Sequence, residues 1–198
     1  MKLRHSLLLA LSATLAFTAV RATTVVAPTF DELVDRAQLI FEGTVTNVES
    51  QWAGEGAQRH IVSYVTLKVD DGLKGDAGKT YTLRMLGGTV GEDTMGISDA
   101  PVFKVGDRNI LFVENNGTQF IPLVGIMYGR FRVQQDQQSG AEVVTTDEGH
   151  PVADVAKLGK DEHGHRHVTD HKHVANTEST PALSAAAFKA AIRAKLSE

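Results

Sequence analysis

Five of the eight histidines in this 198-residue chain fall within residues 163–173, as His163, His165, His167, His171 and His173. Imidazole is the commonest protein ligand for borderline metals, so the tract could hold zinc, nickel or copper. His163, His165 and His167 alternate and would project to one side of an extended chain, whereas His167 and His171 would share one face of a helical turn. Asp161, Glu162 and Asp170 could add oxygen ligands. The plainer reading is a polar segment that takes up metal only when metal is abundant, because such tracts are recognised by composition and lack a fixed geometry. A third reading is a response to mild acid, since imidazoles near pKa ~6.5 gain charge there.

Other chemistry is sparse. Gly78-Lys79-Thr80 ends like a phosphate-binding loop, but Leu73 stands where the first glycine belongs and a strand follows where a helix N-terminus is needed. Gly87-Gly88-Thr89-Val90-Gly91 fails as a dinucleotide fingerprint for the same reason. Ser98, in Gly96-Ile97-Ser98-Asp99-Ala100, invites comparison with a nucleophile elbow. No apolar strand leads into it, Pro101 discourages a following helix, and only His60 and His150 could serve as its base within the domain. A hydrolase is therefore the third-ranked reading, and no catalytic residue is assigned. Trp52 and His60 flank one loop and could share a contact surface, although a single Trp beside a strand end more often packs.

The elements that must position these residues are mainly strands. A capping box at Thr29 and Glu32, followed by Phe30, Leu33, Val34 and Ala37, predicts a short helix over 29–37. Strand-like spacing then runs from Leu39 through Val48, with Gly43 marking a bulge, and from Ile61 to Val69. Asp71-Gly72 and Lys74-Gly75 predict a turn before a strand at Tyr81 to Leu86. The Gly-rich stretch 87–101 reads as a long loop, a length often kept for function. Further strands are expected at Arg108 to Val113, Gln119 to Val124, Tyr128 to Val133 and Ala141 to Thr145. Phe103, Phe112, Tyr128 and Phe131 are expected in the core.

Composition after Thr146 turns polar and His-rich, so residues 147–180 read as a solvated linker. Leu183, Phe188, Ile192 and Leu196 then form a stripe on an amphipathic helix within 181–198. At the other end, Lys2 and Arg4, an apolar run from Leu7 to Val20 and small residues near Ala22 describe a signal peptide over 1–22. The expected product is exported, periplasmic or secreted, without membrane insertion after cleavage. Losing Lys2, Arg4 and Arg21 with the leader takes the net charge from −4 to −7, which disfavours nucleic acid as a partner. Without cysteine, neither disulfides nor thiolate metal sites are available, and residues 23–146 must supply a hydrophobic core.

The run from Phe30 to Val45, with Tyr64 to Val69, Leu73-Lys74-Gly75, Leu86-Gly87-Gly88, Pro101 to Asp107, Leu111-Phe112-Val113 and Gly129 to Val133, resembles a group of bacterial secreted proteins similar to the netrin-like OB-folds. That family includes the tissue inhibitors of metalloproteinases. The resemblance implies an OB-like β-barrel of five to six strands with a short N-terminal helix, and a binding role towards another extracytoplasmic protein, such as a peptidase. In the inhibitors an N-terminal cysteine addresses the protease zinc; here the corresponding residues are Thr23 and Thr24. The resemblance therefore implies a fold and a non-catalytic binding module with no required cofactor. Metal binding by the histidine tract is the second expectation.

Overall fold

The computed structural model describes residues 26–136, 139–160 and 181–198. The leader and all five histidines of the tract lie outside the described residues. The described residues form a mainly β unit with two helices. The elements are α1 (Phe30–Arg36), β1 (Leu39–Ala53), β2 (His60–Lys74), β3 (Thr80–Leu86), β4 (Gly88–Val90), β5 (Asp93–Met95), β6 (Arg108–Val113), β7 (Arg130–Gln135), β8 (Glu142–Thr146) and α2 (Ala185–Leu196).

Six strands form one antiparallel sheet in the order β3-β2-β1-β6-β7-β8, and β4 and β5 pair separately as a small hairpin. The sheet does not close strand to strand into the expected barrel, because β3 and β8 do not pair. The edge of β3 is instead covered by the segment after β6. There Leu86 N–H donates to Phe120 O at 2.7 Å, Arg84 N–H donates to Asn116 Oδ1 at 3.0 Å, and Asn116 Nδ2 donates to Thr82 O at 2.8 Å. The side-chain amide of Asn116 thus pairs with β3 as a peptide group would. A strand expected at 119–124 is reduced to one bridge between Val113 and Leu123.

The first half of β1, residues 39–45, and β6 are central and buried on both faces. Ile40, Ile110 and Phe112 face a core shared with α1 and α2, whereas Phe41, Leu111 and Val113 face a second core with Val65, Leu67, Leu83, Phe103 and Leu123. Period-two alternation divides the apolar side chains between the two cores. Register shifts at Ile40/Phe41 and Glu42/Gly43 bend β1 between its partners, as the glycine suggested.

α1 begins on its capping box, with Thr29 Oγ1 accepting from Glu32 N and Glu32 Oε2 accepting from Thr29 N. α2 is capped by Ser184 rather than started by Pro181. Its apolar stripe enters the α1-side core, where the ring of Phe188 lies 4.7 Å from Phe131, 6.1 Å from Phe30 and 6.4 Å from Phe112 between centroids. Leu196, at the far end of the stripe, is exposed. Of residues 147–180, the part up to Lys160 is described, and Val152 within it is buried in the same core. Val144 N–H donates to Leu183 O, Leu183 N–H to Val152 O, and Val152 N–H to Val144 O, so the approach to α2 is stitched to β8.

Candidate functional site

Two clusters of charged groups lie in the interior, and buried titratable groups are candidates for catalysis. Arg130 on β7 is 2% exposed and sits at the centre of one cluster. Its Nε donates to Asn109 Oδ1 at 2.8 Å, Nη1 donates to Val102 O at 2.7 Å and Asp147 Oδ1 at 2.9 Å, and Nη2 donates to Asp107 Oδ2 at 2.9 Å. The ring of Phe103 lies 4.1 Å below the guanidinium. Burial pushes the Arg130 guanidinium down and the Asp147 carboxyl up, each against the pull of the other. A guanidinium engaged in this way neither gives nor takes a proton near neutrality. Its work is to tie β6, β7, the 101–107 loop and Asp147 together.

Glu42 on β1 centres the second cluster. Arg108 Nη2 and Lys189 Nζ each stand 2.5 Å from one of its carboxylate oxygens. Arg108 also pairs with Glu142, and Lys189 with Asp71 at 2.8 Å. Asp71 in turn accepts from Arg193 at 2.9 Å. Burial raises the Asp71 carboxyl, and the hydrogen bonds from Lys189 and Arg193 more than reverse this, so it is held below its ordinary 3.8. Both clusters cross-brace elements that are distant in sequence. Sequence reasoning passed over them, although an acid inside Ile40-Phe41-Glu42 and an arginine inside Gly129-Arg130-Phe131 are unusual enough in apolar runs to mark buried partners.

The residues singled out for chemistry do not converge. Ser98 is exposed and has no hydrogen bond to an imidazole among the described residues. His60 Nδ1 bonds Gln58 O at 2.7 Å, and His150 Nε2 stands 3.6 Å from Glu148. Gly78 lies in a turn closed by Asp76, whose Oδ1 accepts the Gly78 N–H, and β3 follows it. Among the described residues no group of three or more His, Cys, Asp or Glu side chains is placed to hold a metal ion.

What does converge is a rim at one end of the sheet. Trp52 pairs with Ile61 across β1 and β2, and Ile61 O accepts from Gly87 N–H just beyond β3. Met95 Sδ of the β4–β5 hairpin accepts from Ile61 N–H at 3.5 Å. The stretch expected to be an open loop therefore folds a hairpin back over β1 and β2. Gly88 fits against the hydrogen-bonded hydroxyls of Ser50 and Ser63, where an added methyl would overlap both. Phe120, 71% exposed, flanks the β3 side of this rim, and Trp52, 36% exposed, flanks the β1 side. Arg59 stacks on Trp52 with its Cζ 4.0 Å from the ring centroid. Trp52 and His60 do share the β1–β2 tip, opposite Ile61 and Ala53 respectively. Phe120 was not singled out from sequence, because an aromatic beside Ile121 within an expected strand reads as core.

No family model, no curated protein and no solved structure matches the chain. No helix among the described residues is long and apolar enough to cross a membrane.

Proposed function

We propose that this chain is an exported, non-catalytic binding module whose rim of Trp52, Arg59, the β4–β5 hairpin and Phe120 contacts another extracytoplasmic protein, with peptidases the first class to test. One observation carries the reading. The interior charges of the described residues are spent on one another, while two large aromatics from separate elements stand exposed at one end of the sheet. Exposed Trp, Arg and Phe beside a hairpin is the composition of a contact surface, in which a few aromatic anchors carry most of the affinity. The OB-like, netrin-like assignment of the fold belongs to the same proposal. A long first strand flanked by β2 and β3 on one side and by β6, β7 and β8 on the other, with a β3 edge covered by residues 116–120, supports it.

The test is affinity capture from periplasmic and culture fractions with the native chain and with a Trp52→Ala, Phe120→Ala double variant. A saturable partner lost with the double variant is expected. Equal capture by both chains would remove the rim from the reading, and a Ser98-dependent hydrolase activity would replace the module with an enzyme.

A second reading is transition-metal binding by His163, His165, His167, His171 and His173. Its support is the density of imidazoles in residues 163–173. Titration of zinc, nickel and copper into the full chain, with and without the five residues replaced by alanine, decides it.

A further inference from the structure

The two outer edges of the six-stranded sheet are covered. Asn116 and Phe120 bond the free side of β3, and Val152 and Leu183 bond the free side of β8. A third edge exists because β6 is short. It pairs with β1 only from Leu39 to Thr44, and backbone bonds between Val45 and residues 106–107 extend the cover by one step. Beyond that point β1 continues to Ala53 strand-paired, among the described residues, with β2 alone, while β4 packs on its face at Ser50.

The direction of its backbone groups follows from the neighbouring strands. Gly87 N–H donates to Ile61 O, so Ile61 turns its peptide groups towards β3 and its pair Trp52 turns its own away from β2. The register from Asn47 to Ala53 has no shift, so Ser50 and Val48 do the same. Among the described residues, nothing hydrogen-bonds to the outward N–H and C=O groups of Val48, Ser50 and Trp52. An open edge is a template for another strand, and natural edges are blunted with lysine, proline or inward charge. From Thr46 to Ala53 there is no lysine, arginine or proline and a single charge, Glu49.

We infer that this edge is a homodimer seam: β1 of a second copy adds antiparallel to it about a two-fold axis at Ser50, making one continuous sheet through two molecules. The sequence is self-complementary about that residue. Ser50 meets its own copy, and Val48 faces the partner's Trp52, a β-branched against aromatic pair of the kind that stabilises sheets. Glu49 faces the partner's Gln51, so the one charge on the seam avoids its own image. Each outward N–H and C=O of the three residues gains a partner, and the two-fold makes the same patch serve both copies. Val48 and Trp52, both exposed in the single chain, are covered, so in the dimer the part of the rim left open to a further partner is Arg59, the β4–β5 hairpin and Phe120.

The experiment is light scattering and sedimentation over a concentration series on the chain expressed with its own leader. A monomer–dimer equilibrium is expected. Ser50→Pro removes a donor that has no partner within one chain and should leave a folded monomer, checked by circular dichroism and the unfolding midpoint. Should that variant fail to fold, Gln51 decides. Gln51→Glu sets two like-charge pairs across the seam and should weaken the dimer about threefold to tenfold, whereas Gln51→Lys should tighten it by a similar factor, both effects shrinking in high salt. A chain that stays monomeric at every concentration overturns the inference, as does a dimer indifferent to all three substitutions. A monomer that takes up an extended peptide along Val48 to Trp52 overturns it too, in favour of a strand from a different protein.

Discussion

Lys189 Nζ on α2 reaches Glu42 Oε2 on β1 at 2.5 Å, joining the last helix to the first strand inside a site where Glu42 is 2% exposed. The pair spans nearly the whole described chain, and its second carboxylate oxygen is held by Arg108. A buried charge that loses one of two partners is costly, whereas replacing both partners of a pair with neutral groups of similar size costs little. Lys189→Ala should therefore destabilise by about 2–4 kcal/mol in urea unfolding, and Glu42→Gln with Lys189→Met should recover most of that. A Lys189→Ala loss below about 0.5 kcal/mol would mean that the contact is as weak as an exposed ion pair.

The same cluster sets a pH window. Asp71 is held below 3.8 once burial is outweighed by the Lys189 and Arg193 bonds, and Lys189 is held above 10.5 once burial is outweighed by the Asp71 and Glu42 bonds. A depressed carboxyl contributes stability that is present above its unfolded value and lost as pH falls through the folded one. A raised amine contributes stability that is full below its unfolded value and lost as pH rises through the folded one. Protection of the α2 amides in hydrogen exchange should accordingly be greatest between these limits and fall on both sides. Asp71→Asn should flatten the acid side; an unchanged acid limb would place the titration elsewhere.

Asn116 stands in for a strand residue at the edge of β3, bonding Arg84 N–H, Thr82 O and the Tyr81 hydroxyl. Asn116→Ala removes these bonds and should cost about 1–2 kcal/mol. The specific sign is local: the Arg84 amide should exchange faster while the amides between β1 and β6 keep their protection. Uniform loss of protection would show that the segment 114–124 supports the whole sheet rather than one edge.

Phe188 lies among Phe30, Phe112 and Phe131, so Phe188→Ala should cost about 3–5 kcal/mol. A chain ending at Thr146 loses this ring together with Ile192 and Val152, and it should fail to fold. Metal titration on such a truncation would confuse unfolding with lost ligands. The five-histidine alanine variant of the full chain is the proper control, and it should keep the native unfolding midpoint.

Local signals carried much of the fold. Thr29 and Glu32 announced α1 because a capping box is built from residues three apart, and Arg108 to Val113 announced β6 because a strand buried on both faces reads as an unbroken apolar run. Signals failed where distant partners decide. Asp71-Gly72 reads as a turn, yet it stays within β2 because Asp71 is engaged by Lys189 and Arg193 from α2. Ile121 and Leu123 give residues 119–124 the apolar spacing of a strand, but that spacing reports burial, and the segment covers the edge of β3 with few ladder bonds. The β4–β5 hairpin was hidden by brevity, three residues a side among glycines. The rim could not be read at all, since it is made by folding that hairpin and Phe120 to the end where Trp52 lies.

The stitching of Leu183 to Val144 and Val152, with Phe188 and Ile192 sunk in the core, has a consequence for integrity under proteolysis. The described contacts that hold α2 in its groove are made by residues on both sides of 161–180 and are non-covalent. A single nick in that stretch should therefore leave one particle that still migrates as the intact protein under native conditions and separates into two pieces only in denaturant.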